Sequence, residues 1–240
     1  MEFFGITDIG NGREVNEDAY RIGEKGERYA LVADGMGGHQ AGEVASNLSA
    51  DVMVNAFREM ETPSRSAMRA AIDTANNTVY ARAKSDPFCR GMGTTLTAIC
   101  ETDNSVLLAH IGDSRAYRLR KGVLKQMSEE HSYVAQLVAS GEITPEEART
   151  HPERNLITKA LGVGRHIEPQ ISEFTLKKND VWLLCSDGLT EYVEDEELCS
   201  MLLEGNKSWQ DKLKRMVGTA LQRGGSDNIT AVIAVCGKEV

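Results

Sequence analysis

Four aspartates, each beside an apolar run of β-strand type, are the residues of this chain best suited to do chemistry. They are Asp34, Asp113, Asp187 and Asp227, and each lies at a short polar turn. If the runs form strands that share a core, at least three of these carboxylates meet at one edge. Crowded carboxylates in a partly dry place repel one another and take up protons unless a cation binds among them. An all-oxygen cluster suits Mg²⁺ or Mn²⁺, and two such ions can clamp a phosphoryl group, so we predict a metal-dependent phosphate enzyme.

The elements that must position these aspartates are short strands and amphipathic helices arranged in blocks. Apolar runs between turn residues predict strands at residues 3–9, 19–22, 29–33, 94–100, 106–111, 116–119, 123–127, 171–176, 181–185 and 229–235. The four strands between 94 and 127 are expected to form a β-meander. Helical periodicity predicts helices at residues 41–60, 67–83, 196–203 and 209–221. The sheet-facing stripes are Val44, Leu48, Val52 and Ala56 in the first helix, and Ala71, Ala75 and Val79 in the second.

This order of elements favours an α+β fold rather than a doubly wound parallel sheet. We expect a central antiparallel β-sandwich flanked on both sides by helices (α-β-β-α), in a single domain over residues 1–240. Residues 128–164 differ in character, because they are polar, helical and rich in histidine and glutamate. Thr144 to Glu147 has the sequence of a capping box and predicts a helix start. We expect this segment to form a small lobe over the aspartates, with His131, His151 and His166 on its surface.

Composition argues against several classes of function. The chain has 240 residues, of which 41% are hydrophobic, and this is enough for one sizeable core. The formal net charge of -9 argues against nucleic acid and anionic membranes as partners, because such binding depends on lysine and arginine. With no apolar stretch of membrane-spanning length and no signal peptide at the start, a cytoplasmic protein is expected. The five cysteines include no Cys-x-x-Cys pair and are expected to be reduced.

Six short motifs, taken together and in this order, resemble one family. They are Arg13-Glu14-Val15-Asn16-Glu17-Asp18, Asp34-Gly35-Met36-Gly37-Gly38-His39, Gly93-Thr94-Thr95, Gly112-Asp113-Ser114-Arg115, Ser186-Asp187-Gly188 and Asp227-Asn228. Over nearly its whole length the chain resembles the type 2C, metal-dependent protein serine/threonine phosphatases, particularly the compact bacterial members. The resemblance implies hydrolysis of phosphoserine and phosphothreonine on proteins, a cognate serine/threonine kinase whose action is opposed, and a monomer. It also matches residues 128–164 to the flap that the bacterial members carry beside the active site.

The resemblance further implies two Mg²⁺ or Mn²⁺ ions and a weaker third site. Asp34 would bridge the two ions, and Gly35 would let its backbone carbonyl approach as another ligand. Asp187 and Asp227 would complete the first site, with Asn228 holding Asp227 or the start of the last strand in place. Asp113 would serve the third site together with Asp187. Glu17 and Asp18 match the acidic pair that contacts water on the second ion.

Arg13 is the expected phosphate contact, because a guanidinium matches two phosphate oxygens at once. The implied mechanism needs no covalent intermediate: a water that bridges the two ions loses a proton and attacks phosphorus in line. The general acid stays open, since the histidine that animal relatives carry directly after Asp-Gly is Met36 here. His39 could protonate the leaving group, and so could a metal-bound water.

Three other functions fit parts of the pattern. A phosphatase-like binding or scaffold module would lack one or more metal aspartates, whereas Asp34, Asp187 and Asp227 are all present. A Ca²⁺-binding module would need a compact acidic loop that the sequence does not contain. A phosphatase of the same fold that acts on a regulator of a sigma factor would carry the same motifs, and that alternative stays open.

Overall fold

The computed structural model describes residues 1–38 and 41–237. The strands are β1 (Glu2–Asp8), β2 (Asp18–Ile22), β3 (Tyr29–Met36), β4 (Gly93–Thr94), β5 (Leu96–Glu101), β6 (Ser105–Ile111), β7 (Arg115–Arg120), β8 (Val123–Gln126), β9 (Gln170–Thr175), β10 (Val181–Cys185) and β11 (Ile229–Val235). The α-helices are α1 (Ala41–Glu59), α2 (Arg65–Ser85), α3 (Tyr133–Ser140), α4 (Pro145–Thr150), α5 (Asp187–Thr190), α6 (Asp195–Leu203) and α7 (Trp209–Gln222). Their bounds lie close to most of those predicted.

Two antiparallel sheets pack face to face. One has the strand order β1-β11-β10-β7-β8, and the other has the order β2-β3-β5-β6-β9 with β4 paired to β3. Between them lies an apolar core around Trp182, which is only 1% exposed. Every residue of β10 is apolar because this central strand is covered on both faces, by the second sheet and by helices.

Helices cover the two outer faces of the sandwich. Both α1 and α2 pack on the second sheet, where Ile72 of α2 meets Leu31 of β3 in one apolar cluster. On the first sheet, α6 and α7 bury residues such as Met216 against Leu183 of β10. The layers therefore follow the predicted α-β-β-α order. Among the described residues, no helix is both long enough and apolar enough to cross a membrane.

The predicted sheet-facing stripe of α1 was wrong. Val44 is exposed, and the row that faces the sheet is buried one position further along, at Ala45, Ser49, Met53 and Phe57. The prediction followed apolar residues at a spacing of four from Val44. The buried row has the same spacing but begins at Ala45, where small alanine and serine side chains let the helix approach the strands closely. The stripe predicted for α2 was right, since Ala71, Ala75 and Val79 are all buried.

The predicted β-meander was also wrong. Strands β5 and β6 pair in the second sheet, whereas β7 and β8 pair in the first. The chain changes sheets at Gly112, whose φ of 114° is in the region that favours glycine. The turn at Gly112 therefore carries Asp113 from one sheet to the other.

The flap, residues 128–164, contains α3 and α4. The capping box predicted at Thr144 is present, because its hydroxyl accepts from the Glu147 N–H while the Glu147 carboxylate accepts from the Thr144 N–H. Ion pairs from Arg149 to Glu194 and from Arg154 to Glu191 tie the flap to the segment after α5. Exposed pairs of this kind contribute about 0–1 kcal/mol each, so the flap is held weakly on this side.

Candidate metal centre

Asp18 and Asp34 face each other across neighbouring strands. They are directly paired in the register of β2 and β3, so their side chains share one face of the sheet. Asp34 lies inside β3, and the expectation that it follows the strand was wrong. Its backbone is held by two threonines: Thr95 Oγ1 accepts from the Asp34 N–H at 2.9 Å, and Thr94 Oγ1 donates to its carbonyl at 2.9 Å.

The first sheet supplies Asp187 and Asp227. Asp187 is the first residue of α5, directly after Ser186 at the end of β10, and Asp227 lies two residues before β11. The Ser186 hydroxyl donates to Asp18 Oδ2 at 2.7 Å, and its oxygen accepts from the Thr230 N–H at 3.0 Å. Ser186 thereby connects the acidic residues of the two sheets.

Asn228 joins the N-terminal loop to the start of β11. Its Oδ1 accepts from the Glu17 N–H at 2.8 Å, and its Nδ2 donates to the carbonyls of Ile9 and Val15 at 2.8 and 3.0 Å. The Asn228 N–H also donates to Asp227 Oδ1 at 2.8 Å. The buried Asn228 side chain therefore ties the loop that carries Glu17 and Asp18 to the start of β11, directly after Asp227. Its role in supporting a metal ligand stays a prediction.

Close backbone packing explains two glycines of the motifs. A Cβ on Gly35 would lie 2.1 Å from the carbonyl oxygen of Gly42, and one on Gly188 would lie 2.1 Å from that of Asn228. Glu17 binds the same glycine that Gly35 packs against, because Glu17 Oε1 accepts from the Gly42 N–H at 3.1 Å. The role of the Gly35 carbonyl as a metal ligand stays a prediction.

The carboxyl groups strongly affect one another. Burial, reinforced by the charges of Asp18 and Asp187, raises the pKa of Asp34 well above its usual range. Burial and then the charge of Asp113 raise the pKa of Asp187 to about 8. The pKa of Asp18 rises to about 7, and that of Asp113 rises to about 6, mainly through burial in each case. The charge of Asp227 contributes to the shifts of Asp18, Asp34 and Asp187, so these four aspartates and Asp227 form one electrostatic group rather than separate surface charges.

Two oxygens of this group have no hydrogen-bond donor among residues 1–38 and 41–237. They are Asp18 Oδ1 and Asp187 Oδ1, and both are buried. Buried carboxylate oxygens without a donor are costly unless a cation compensates them. The donor set, which consists of carboxylates and nearby backbone carbonyls, is of the kind that Mg²⁺ and Mn²⁺ prefer. The residues therefore fit a divalent metal centre.

Arg13 and Asp227, two of the predicted site residues, form an ion pair with each other. Arg13, whose side chain is 48% exposed, donates from Nη2 to Asp227 Oδ2 at 2.8 Å. Within residues 1–38 and 41–237, no three histidine, cysteine, aspartate or glutamate side chains converge at ligand spacing. If a cation bound at Asp227, this carboxylate would exchange its guanidinium partner for the ion, and Arg13 would be free to bind another anion.

Asp113 approaches the group from the turn between the sheets. Its neighbour Gly112 pairs with His131, which is only 7% exposed, so the expectation of a surface residue was wrong. Burial lowers the pKa of His131 to about 4 and keeps the ring neutral. His166 is exposed and His151 half-buried, whereas His39, the candidate general acid, lies outside the described residues.

A cleft of about 610 Å³ lies between the flap and the body. Its lining includes Asp113 and Asp187, Val134 of α3, Arg149 of α4 and Tyr192. The cleft is thus continuous with the carboxylates, and its flap side carries both apolar and charged residues. Its size suits a side chain or a short peptide segment more than a folded domain.

Comparison with known proteins places this arrangement in a family. A family model described as Protein phosphatase 2C matches residues 8–234. The chain belongs to the protein phosphatase 2C family. It is 41% identical over 237 residues to the serine/threonine protein phosphatase PstP of Mycobacterium tuberculosis, covering 98% of this chain and 45% of that protein. It is also 36% identical to the serine/threonine phosphatase stp of Listeria monocytogenes, covering 95% of this chain and 92% of that one.

Solved structures of the 2C family show the same fold. The crystal structure of the PstP catalytic domain in complex with two manganese ions has 37% sequence identity and a TM-score of 0.88, and 98% of each chain is covered. The predicted family and α+β fold are therefore confirmed. The chain spans less than half the length of M. tuberculosis PstP.

Sequence reasoning missed Ser186, Thr95 and His131 as parts of the site. Each holds an acidic motif through a buried hydrogen bond: Ser186 to Asp18, Thr95 to Asp34 and His131 to the turn before Asp113. Ser186 and Thr95 lay inside quoted motifs, so their position beside an apolar run was a usable signal. His131 had no such signal, because its partner is 19 positions away.

Proposed function

We propose that this chain hydrolyses phosphoserine and phosphothreonine in proteins, with two Mg²⁺ or Mn²⁺ ions bound among its aspartates. The observation that carries the proposal is the electrostatic group of Asp18, Asp34, Asp113, Asp187 and Asp227, with its two unpartnered buried oxygens. The names of the 2C relatives and the manganese in the PstP structure support it.

Each acidic residue has a place in this proposal. Asp34 would serve both ions, with the Gly35 carbonyl as a further ligand, and Asp187 and Asp227 would complete the first site. Glu17 and Asp18 would hold water at the second ion. Asp113, with Asp187, would hold a weaker third ion. Divalent ions bound there would activate water and balance the charge on the phosphoryl group. Asn228 and Ser186 would fix the acidic motifs of the two sheets relative to each other.

Arg13 would bind the phosphate. Its guanidinium already neutralises Asp227, and the hydrogen bond to Asp227 raises the pKa of Arg13 above its ordinary value, so it stays charged at all working pH values. On an exposed loop, this side chain can turn from the carboxylate to the phosphate oxygens of a bound substrate. The leaving-group proton is assigned to His39 or to water.

The flap cleft would receive the polypeptide on one side of the phosphorylated residue, because Asp113 and Asp187 are part of its lining. Flaps beside an active site commonly select substrates. We also propose a single phosphatase domain that is cytoplasmic, monomeric and opposed to a serine/threonine kinase.

The experiment is phosphate release from a phosphothreonine peptide by the purified chain, with Mn²⁺, with Mg²⁺ and with chelator. We expect turnover with either ion and none with chelator. A phosphotyrosine peptide of the same sequence tests the substrate class and is expected to react more slowly. No release from several phosphopeptides by a folded chain that binds Mn²⁺ would favour a binding module instead.

A further inference from the structure

His131 lies where the flap leaves the body and pairs reciprocally with Gly112. The Gly112 N–H donates to His131 Nδ1 at 3.1 Å, and the His131 N–H donates to the Gly112 carbonyl at 2.8 Å. Because Nδ1 accepts, the ring proton is on Nε2. The two bonds fix the backbone of the residue directly before Asp113.

A second histidine supports this pair. The rings of His110 and His131 stack with centroids 5.1 Å apart, and His110 Nε2 lies 3.1 Å from the Gly112 carbonyl. His110 Nδ1 lies 2.9 Å from Thr97 Oγ1, so the hydroxyl donates and Nε2–H is left to bond Gly112. Both rings are therefore held in one tautomer by buried partners.

The other side of Asp113 is held independently. Ser114 Oγ and Thr95 Oγ1 lie 2.8 Å apart, and Thr95 Oγ1 accepts from the Asp34 N–H at 2.9 Å. Asp113 is thus placed by buried hydrogen bonds on both sides. The bonds at Gly112 are made by a residue of the flap, whereas the contact of Ser114 is made by a residue of the body.

His131 is also bonded to the returning end of the flap. Its carbonyl accepts from the Thr158 N–H at 2.7 Å and from the Thr158 hydroxyl at 3.0 Å. The ring is therefore anchored through its own backbone, so a change of ring chemistry need not release the flap.

We infer that His131 is a positioning residue whose Nδ1 holds the Gly112 turn so that the Asp113 carboxyl stays beside Asp187. It touches neither substrate nor metal itself. The inference rests on the proposed function in one respect, which is that Asp113 takes part in binding a divalent ion.

Two substitutions separate hydrogen bonding from packing. In His131→Asn, the side-chain oxygen occupies the place of Nδ1 and can still accept from Gly112, but the ring is lost. In His131→Phe, the ring remains to stack on His110, but the acceptor is lost and the Gly112 N–H is left unpaired. A positioning role predicts that the asparagine variant resembles the wild type, whereas a packing role predicts that the phenylalanine variant does.

The readout is Mn²⁺ binding, followed by electron paramagnetic resonance of the free ion, which does not depend on turnover. Comparison of wild type with Asp113→Ala identifies the binding event that needs Asp113. For that event we expect the dissociation constant to rise roughly tenfold in His131→Phe and to change less than about threefold in His131→Asn. His166→Phe, at an exposed flap histidine, is the matched control and should bind as the wild type does.

Three results of the binding measurement would overturn the inference. They are identical isotherms for wild type and Asp113→Ala, wild-type affinity in His131→Phe, and loss of the Asp113 event in a folded His131→Asn. Failure of both His131 variants to fold would also overturn it, because the residue would then be structural. Failure of the proposed function looks different: phosphate release is absent while the Mn²⁺ isotherms still differ as expected.

Discussion

At the scale of single residues, the aspartates carry more negative charge than the chain itself balances. Arg13 is the one cation hydrogen-bonded to an aspartate of the centre in the described ranges, and it contacts only Asp227. Asp18 and Asp187 each keep a buried oxygen to which no described residue donates. Burial, followed by the charges of neighbouring aspartates, raises the pKa of Asp18 and of Asp187. The same excess of negative charge attracts a divalent cation.

Replacing Arg13 tests its role as the phosphate contact. We expect Arg13→Ala to raise KM for a phosphopeptide roughly tenfold or more, because a hydrogen bond to a charged group contributes about 1.5–3 kcal/mol. The KM of Arg13→Lys should lie between those of the wild type and Arg13→Ala, since an ammonium cannot bind two oxygens in parallel. Arg28→Ala, which removes an exposed ion pair with Asp103, is the control. An unchanged KM in Arg13→Ala would remove Arg13 from the site.

At the scale of elements, α5 can bring Asp187 to the centre only because Gly188 allows β11 to pass close by. We expect Gly188→Ala to lower the free energy of unfolding by about 1–3 kcal/mol, since its Cβ would lie 2.1 Å from the Asn228 carbonyl. Gly218→Ala in α7 meets no atom within 4 Å and should stabilise the chain by about 0.5–1 kcal/mol. Denaturant unfolding measures both, and equal effects would refute the steric argument.

The buried histidines make the junction of flap and body sensitive to acid. Burial lowers the pKa of His131 to about 4, whereas an unfolded histidine titrates near about 6.5. The stability that depends on a neutral ring is therefore complete above about pH 6.5 and is lost as the pH falls towards 4. We expect unfolding free energy to fall less steeply with acid in His131→Asn than in wild type. Denaturant unfolding at several pH values measures this difference. Unfolding free energies that fall in parallel with pH in the two proteins would contradict it.

At the scale of the whole molecule, the centre forms where two sheets and the flap meet. Replacing residues 133–155 by a short Gly-Ser linker removes the α3–α4 hairpin and keeps His131. We expect kcat/KM for a phosphoprotein to fall about tenfold or more and that for a small aryl phosphate to change little, because remote contacts exist only with the larger substrate. Equal losses on both substrates would refute a role in substrate selection.

How far the sequence predicted this molecule depends on the range of the interactions involved. The last strand, residues 229–235, was placed correctly because its run of isoleucine, valine and alanine, broken only by Thr230, follows directly on the polar Asp227-Asn228. The face of α1 and the change of sheet at Gly112 depend on what packs against them, which periodicity does not contain. The Ser186–Asp18 hydrogen bond joins residues 168 positions apart and was likewise beyond local patterns. The motifs nevertheless identified the family, since their order along the chain is itself specific.

The measurement that tests the account most directly is Mn²⁺-dependent phosphate release from a phosphothreonine peptide by wild type, Asp187→Ala and Asp103→Ala. Asp187 belongs to the carboxylate group, whereas Asp103 is an exposed aspartate in a surface ion pair. We predict that Asp187→Ala loses at least about a thousandfold in kcat, since metal-assisted hydrolysis depends on that ligand, while Asp103→Ala keeps wild-type activity. Retained Mn²⁺-dependent turnover in a folded Asp187→Ala chain would contradict the assignment of the metal centre.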